Sequence, residues 1–234
     1  PKKTTDQLGN INMANNKMKK ISFNSFFAGI GGFDYALENV NFVPQFQCEI
    51  EEFCQEVLKK HWSDVPLAAD ITNLEANNLP EAEVWCGGFP CQDVSVARGS
   101  KRRAGLKGKN SGLFFYFSEL IEKRMPPVVL IENVMGLLNS HNGQDFRLVL
   151  EILSNMGYSV AWRALNSRYF GSPQSRPRVF ICAFLDNGFN ALSALFEHQK
   201  GTIDKNKRRG FLDSSECEET GAKVAEVAYC LAAT

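Results

Sequence analysis

Ile21-Ser22-Phe23-Asn24-Ser25-Phe26-Phe27-Ala28-Gly29-Ile30-Gly31-Gly32-Phe33 is the stretch whose reading decides the fold. Residues 21–26 predict a strand, and the glycine turn 28–32 lets the backbone reverse tightly and come close to a ligand. A short helix should follow, carrying Phe33, Ala36 and Leu37 inward. Working outward, the same strand-then-helix alternation continues. Residues 42–48 predict a second strand despite Pro44, and 51–60 a second helix. The short apolar runs 84–86 and 128–131 predict buried parallel strands. Leu113, Phe114, Phe117, Leu120 and Ile121 recur at helical spacing, as do Phe146, Val149, Leu150 and Leu153. Residues 160–165 and 179–184 close the pattern as strands. Strands alternating with helices imply an open, doubly wound α/β sheet of Rossmann-like kind.

The ends of the chain do not follow this pattern. Residues 1–20 are polar, rich in Asn and Lys, and predict a disordered extension. Regularity decays beyond about residue 187, and residues 188–234 form a polar, charged tail closing on a short apolar run. The core-bearing unit is therefore expected over 21–187. No stretch approaches the roughly 20 apolar residues needed to span a bilayer, and the first residues lack the apolar core of a signal peptide.

The seven cysteines (48, 54, 86, 91, 182, 217 and 230) are scattered without a CxxC pair. Neither a disulfide framework nor a zinc cluster is expected, no metal is assigned, and a reducing cytoplasmic setting follows. Formal net charge is zero, but its distribution is uneven. Residues 94–118 contain no acid and carry Arg98, Lys101, Arg102, Arg103, Lys107 and Lys109. Residues 152–185 again contain no acid and carry Arg163, Arg168, Arg176 and Arg178. A face of this kind attracts phosphate; a solvated basic loop explains either segment equally well when taken alone.

In a doubly wound sheet the acid that ends the second strand, Glu49, stands where ribose hydroxyls are bound, and Asp70-Ile71 follows the next segment. A cofactor containing a nucleoside is implied, and a nicotinamide nucleotide would suit the glycines as well. The chemistry further along discriminates. Gly87-Gly88-Phe89-Pro90-Cys91-Gln92 leaves the strand 84–86 as a glycine-flanked loop leading into a basic segment, a setting that favours thiolate. Glu132-Asn133-Val134 leaves the next strand on the same edge. A thiol and a carboxyl meeting there supply a nucleophile and an acid/base group.

In this order, Phe27-Ala28-Gly29-x-Gly31-Gly32, Glu49, Asp70, Gly88-Phe89-Pro90-Cys91-Gln92, Gly112-Leu113-Phe114, Glu132-Asn133-Val134 and Gln174-x-Arg176-x-Arg178 resemble the DNA (cytosine-5)-methyltransferases from residue 21 to about 185. Specificity lies in the set rather than in any one piece. The resemblance implies a methyltransferase sheet dependent on S-adenosyl-L-methionine, with S-adenosyl-L-homocysteine as product. It implies Cys91 as the nucleophile that adds to cytosine C6, Glu132 on the N3/N4 edge, Arg178 near O2, and Arg176 supporting thiolate and base. It also implies a cofactor pocket of Phe27, Ala28, Gly29, Ile30, Gly31, Gly32, Glu49, Ile50, Asp70, Ile71, Pro90 and Leu113. Asn166, Gly171, Pro173 and Gln174 look like the structural run before the paired arginines. The target base would have to be flipped out of double-stranded DNA. Gln92, Ser95, Arg98, Lys101, Arg102 and Arg103 would close over the DNA and grip its phosphates.

Departures from the family pattern qualify these expectations. Asn110 stands where the family often has an arginine, and Ile50 where a bulky aromatic is frequent. Nothing after residue 187 resembles the family's target-recognition domain or its final Asn-containing motif. The chain is thus expected to be a truncated piece, or the catalytic subunit of a split enzyme whose second chain reads the DNA, with little sequence-specific methylation of its own. A restriction-modification or phage-borne origin fits by analogy. An RNA cytosine-C5 methyltransferase and a non-catalytic cofactor-binding subunit are the competing readings. The intact set Cys91, Glu132 and Arg178 speaks against the second.

Overall fold

The computed structural model describes residues 20–90, 112–185 and Leu195. The extension expected over 1–20 and the tail from 188 therefore fall, apart from Lys20 and Leu195, outside the described residues.

Seven strands form one sheet in the order β3-β2-β1-β4-β5-β7-β6. β1 (Ile21–Phe26), β2 (Phe42–Cys48), β4 (Val84–Gly87) and β5 (Val128–Val134) match the expected strands within a few residues. β3 (Leu67–Ala68) has only two residues, too few to show a period in the sequence, and pairs with Gln47 and Cys48 of β2. The register of β1 against β2 slips between Phe23 and Asn24, opposite Pro44 and Phe46. Pro44 has no N–H to give a ladder, and a bulge absorbs the defect. This is how β2 tolerates a proline.

β6 (Ser159–Asn166) and β7 (Pro177–Phe184) form an antiparallel pair, and β7 also runs antiparallel to β5. The ten residues between them hold only a short 3-10 turn, Ser167–Phe170. Without a crossover helix the chain has to return antiparallel. The simple strand–helix alternation read from the sequence ends here, and this return carries β7 back to the edge where β5 finishes. β5 is extended by the same pairing: Glu132, Asn133 and Val134 lie opposite Phe180, Val179 and Arg178.

Helices cover both faces. α1 (Gly32–Asn39) buries Phe33, Ala36 and Leu37 as its spacing predicted, Phe33 and Leu37 clustering with Phe23, Phe42, Val84, Leu130 and Phe180. α3 (Leu113–Arg124) and α5 (Gln144–Asn155) bury Phe114, Phe117, Leu120, Ile121, Phe146, Val149 and Leu153 on the opposite face. There Phe26 packs 4.8 Å from Trp85 and 4.9 Å from Phe117, ring centre to ring centre. α2 (Glu52–His61) follows β2, and the short α4 (Gly136–Asn139) packs against α5. Among the described residues no helix is long and apolar enough to cross a membrane.

Candidate active site

The loops leaving β1, β2, β4 and β5 gather at one edge of the sheet, where ligands of open α/β folds bind, and the start of β7 joins them.

The glycine turn is held by the strand beside it. Ala28 N–H donates to the Cys48 carbonyl at 3.1 Å, and Gly31 N–H to the Ala28 carbonyl at 2.9 Å. Gly29 N–H donates to Glu49 Oε2 at 2.6 Å, while Glu51 N–H donates to Glu49 Oε1 at 2.9 Å. The turn and Glu49 are thus brought together, as expected, and each carboxylate oxygen keeps a lone pair for a further donor. The glycines differ in what they do. Gly31 sits at φ +89°, and a Cβ there would stand 2.3 Å from the Trp62 ring, so this glycine is a packing requirement. Gly29 and Gly32 face nothing within 4 Å, which leaves the turn open on that side.

Ile30 and Ile50 are 60% and 59% exposed, apolar surface beside a hydrogen-bonding carboxylate. An adenosyl group, part flat apolar ring and part sugar diol, matches this donor set and these uncovered side chains. Asp70 caps the 3-10 turn Ile71–Asn73 by accepting from Thr72 N–H at 2.9 Å and Thr72 Oγ1 at 2.8 Å. Ile71 is buried within the core beneath. Leu113 is half-buried at the start of α3, and Pro90 is exposed at the end of the described loop after β4.

At the other half of the edge, Arg178 Nε lies 2.7 Å from Glu132 Oε1. The two are diagonal neighbours across β5 and β7, on one face. Burial pushes the Glu132 carboxyl above the usual range, outweighing the opposite pull of Arg178 and Arg176. Gly88 leaves room for this carboxyl: a Cβ there would come 3.2 Å from Glu132 Oε2. Arg176 is exposed, and its backbone N–H donates to Asn166 Oδ1 at 3.1 Å. Gly171 adopts φ +83°, and Ser167 Oγ donates to the Gln174 carbonyl at 2.7 Å.

Cys91, Gln92, Ser95, Arg98, Lys101, Arg102 and Arg103 lie outside the described residues, as does Asn110. The loop is described up to Pro90, and its last buried residue is anchored. Asn133 Nδ2 donates to the Phe89 carbonyl at 2.8 Å, and Asn133 Oδ1 accepts from Val134 N–H at 2.9 Å. The sequence reading assigned Asn133 no such role, although its place between Glu132 and Val134 was visible. Cys48, Cys86 and Cys182 are buried, and burial raises each thiol, Cys48 to about 12. These three behave as small apolar core residues.

A second group passed unnoticed in the sequence. Asp34 of α1 is fully buried, accepting from Ser25 Oγ at 2.9 Å and Gln47 Nε2 at 2.8 Å. Ser25 and Gln47 are register partners in β1 and β2, so Asp34 clasps both strands just below the turn. Burial raises its carboxyl to about 6, with the hydrogen bonds from Gln47 and Ser25 opposing.

This sheet order with one reversed strand, and a glycine turn facing an acid on the neighbouring strand, define the fold of S-adenosyl-L-methionine-dependent methyltransferases. The structure of the S. pombe Dnmt2 methyltransferase superposes with a TM-score of 0.56 at 22% identity, over 72% of this chain and 50% of that one, a likeness of fold. Residues 21–226 match the family described as C-5 cytosine-specific DNA methylase, and the chain belongs to that family. It is 31% identical over 201 residues to the Type II methyltransferase M.DsaV of Dactylococcopsis salina, covering 86% of this chain and 55% of the relative. It is 36% identical over 183 residues to the Type II methyltransferase M.HpaII of Haemophilus parainfluenzae, covering 76% and 50%. The chain spans about half the length of these curated relatives. S-adenosyl-L-methionine is the cofactor of the family and of the fold.

Proposed function

We propose that this chain carries the catalytic and cofactor-binding half of a DNA (cytosine-5)-methyltransferase that acts on a flipped-out base through a Cys91 adduct. The observation that carries the reading is the Glu132–Arg178 pair, a carboxyl half-withdrawn from water and backed by a guanidinium. It stands beside the loop that Asn133 anchors two residues before Cys91. Burial favours the protonated carboxyl, so Glu132 can hold cytosine N3 as a donor while Arg178 offsets charge developing on the ring. Arg176 supports the same charge.

In this reading the Cys91 thiolate forms a bond to C6, and the C5–C6 π pair shifts to make C5 nucleophilic. Bound there, S-adenosyl-L-methionine would supply the electrophilic methyl group for C5, the S–CH3 bonding pair staying on sulfur to leave S-adenosyl-L-homocysteine. The C5 proton then passes to solvent, its bonding pair restores the 5,6 double bond, and the S–C6 pair returns to sulfur. Glu49 takes the ribose hydroxyls, Ile50, Asp70 and Ile71 frame the adenine, and Phe27 to Gly32 receive the methionine moiety, with Pro90 and Leu113 completing the pocket. Gln92, Ser95, Arg98 and Lys101 to Arg103 close on duplex DNA. We place the reading of DNA sequence outside residues 21–187, in further polypeptide of the same or a second chain, because the match covers only about half of each relative. A bacterial or phage-encoded restriction-modification setting, in the cytoplasm, accords with the Type II relatives.

Trapping tests this directly. Oligonucleotides in which every cytosine is 5-fluorocytosine leave no C5 proton to lose and require no particular sequence to be read. With S-adenosyl-L-methionine, the wild-type chain is expected to give an adduct that survives denaturation, and Cys91→Ser none. An adduct with Cys91→Ser, or none with wild type, overturns the reading.

A further inference from the structure

We infer that the tip of the β6–β7 connection, Arg168 and Tyr169, is a DNA-contacting element flanking the reacting cytosine, an inference that rests on the reading above. Tyr169 is 76% exposed, more than any other large hydrophobic side chain among the described residues. An isolated exposed tyrosine is ordinary on a protein surface. Here its presentation is not ordinary.

The connection is fastened at its base. Asn166 Oδ1 accepts from both Arg168 N–H at 3.2 Å and Arg176 N–H at 3.1 Å, and Asn166 Nδ2 donates to Ser175 Oγ at 3.2 Å. Ser167, itself buried, donates through Oγ to the Gln174 carbonyl and through N–H to the Arg176 carbonyl at 3.3 Å. These bonds join the two limbs and push the intervening residues outward. Arg168 lies 6.0 Å from the centre of the Tyr169 ring, so a cation and an aromatic face are offered together.

Position and charge point to the partner. Asn166 and Pro177 are the last register pair of β6 and β7, next to Leu165 and Arg178, and Arg178 grips Glu132. The tip therefore projects from the edge that holds the Glu132–Arg178 pair. Residues 152–185 contain no acid, so nothing within the segment offsets Arg168, Arg176 and Arg178. Arg163 is turned elsewhere, donating to the Leu195 carbonyl at 2.7 Å. A guanidinium beside an exposed ring suits a nucleic-acid strand: the cation takes a phosphate, and the ring stacks on a base or lies against a sugar. Both contacts are indifferent to sequence, which fits an element that steadies the strand beside an extruded base.

The test uses the whole chain and a labelled duplex carrying one mismatched cytosine, with anisotropy measured from about 50 to 200 mM salt. Arg168→Ala is expected to weaken binding and to flatten the slope of log K against log salt by about 0.9. Tyr169→Ala is expected to weaken binding roughly 5-fold or more with the slope unchanged, and Tyr169→Phe to restore it. S-adenosyl-L-homocysteine binding and melting temperature should match wild type in all three, which separates a contact from a folding defect. Wild-type affinity and slope in both alanine variants overturn the inference, as does a wild-type chain that binds no duplex. Preference for a folded RNA over the duplex, lost in the same variants, would overturn the assignment to DNA. Normal 5-fluorocytosine trapping by both alanine variants, with unchanged affinity, sinks this inference alone; no trapping by wild type sinks the catalytic reading first.

Discussion

On the β1–β2 side of the working edge the carboxyls are held by neutral donors. Glu49 takes two backbone N–H groups, Asp70 takes Thr72, and Asp34 takes Ser25 and Gln47. On the β5–β7 side Glu132 is held by a guanidinium 2.7 Å away. Burial raises both Asp34 and Glu132, and in both it is the largest effect. The difference lies in what opposes it. Hydrogen bonds from neutral groups fix a carboxyl in place and suit a lasting grip on hydroxyls. A cation beside a half-buried carboxyl lets the proton be exchanged while the charge on a bound base changes. The proposed cofactor half should thus respond to backbone and packing changes, and the proposed base half to changes of charge.

Removing the cation is the strongest way to break the contrast. Arg178→Ala leaves Glu132 with burial less opposed, raising its carboxyl further, and removes the charge proposed to face the base. Single-turnover adduct formation should fall by about 10²–10³-fold, with S-adenosyl-L-homocysteine affinity near wild type. Equal losses in both would mean that the two halves are not separate in this sense.

Gly31→Ala attacks the other half through geometry alone. The added Cβ meets Trp62 at 2.3 Å, and φ is +89°. Overpacking plus a left-handed backbone should cost about 2–5 kcal/mol, read as a lower midpoint in urea. Adding Trp62→Leu should return the steric part and leave the backbone part. No recovery in the double variant would show that Trp62 is not the obstacle.

The third experiment asks whether Asp34 titrates as a carboxyl without a cation should. Its folded value is about 6 and its ordinary value 3.8, so the folded state binds the proton more tightly. Below the ordinary value both states are protonated and the cost is absent. It develops as pH rises through this window and is complete above about 6, reaching on the order of 3 kcal/mol. The wild-type chain should therefore lose stability relative to Asp34→Asn between pH 4 and pH 7. Taking the difference cancels the similar slope expected from Glu132. A constant difference across that range would show that Asp34 stays ionised in the fold.

The strand–turn–helix at 21–39 was legible because every signal in it is local: a strand run, then glycines, then a helical period. The reversal of β7 was not, since alternation along a strand says nothing of its direction. β3 was too short to carry a pattern. Asp34 lay between Phe33 and Ala36, and only the pairing of Ser25 with Gln47 made it an inward-facing group with partners. The family motifs marked Glu132 and Arg178 separately, while the tie from Asn133 to Phe89 needed two loops seen side by side.

By itself the sequence determined the strand–helix alternation, the glycine turn with its acid, and the motif set that marks the family. These rest on covalent order and short-range backbone preference, which are present before the chain folds. Tertiary structure decided that Arg178 meets Glu132, that Asp34 clasps two strands, and that Arg168 and Tyr169 stand out from the edge. Each of these depends on strand register, and register is chosen by burial of the whole sheet between its helices, a quantity that no local stretch contains.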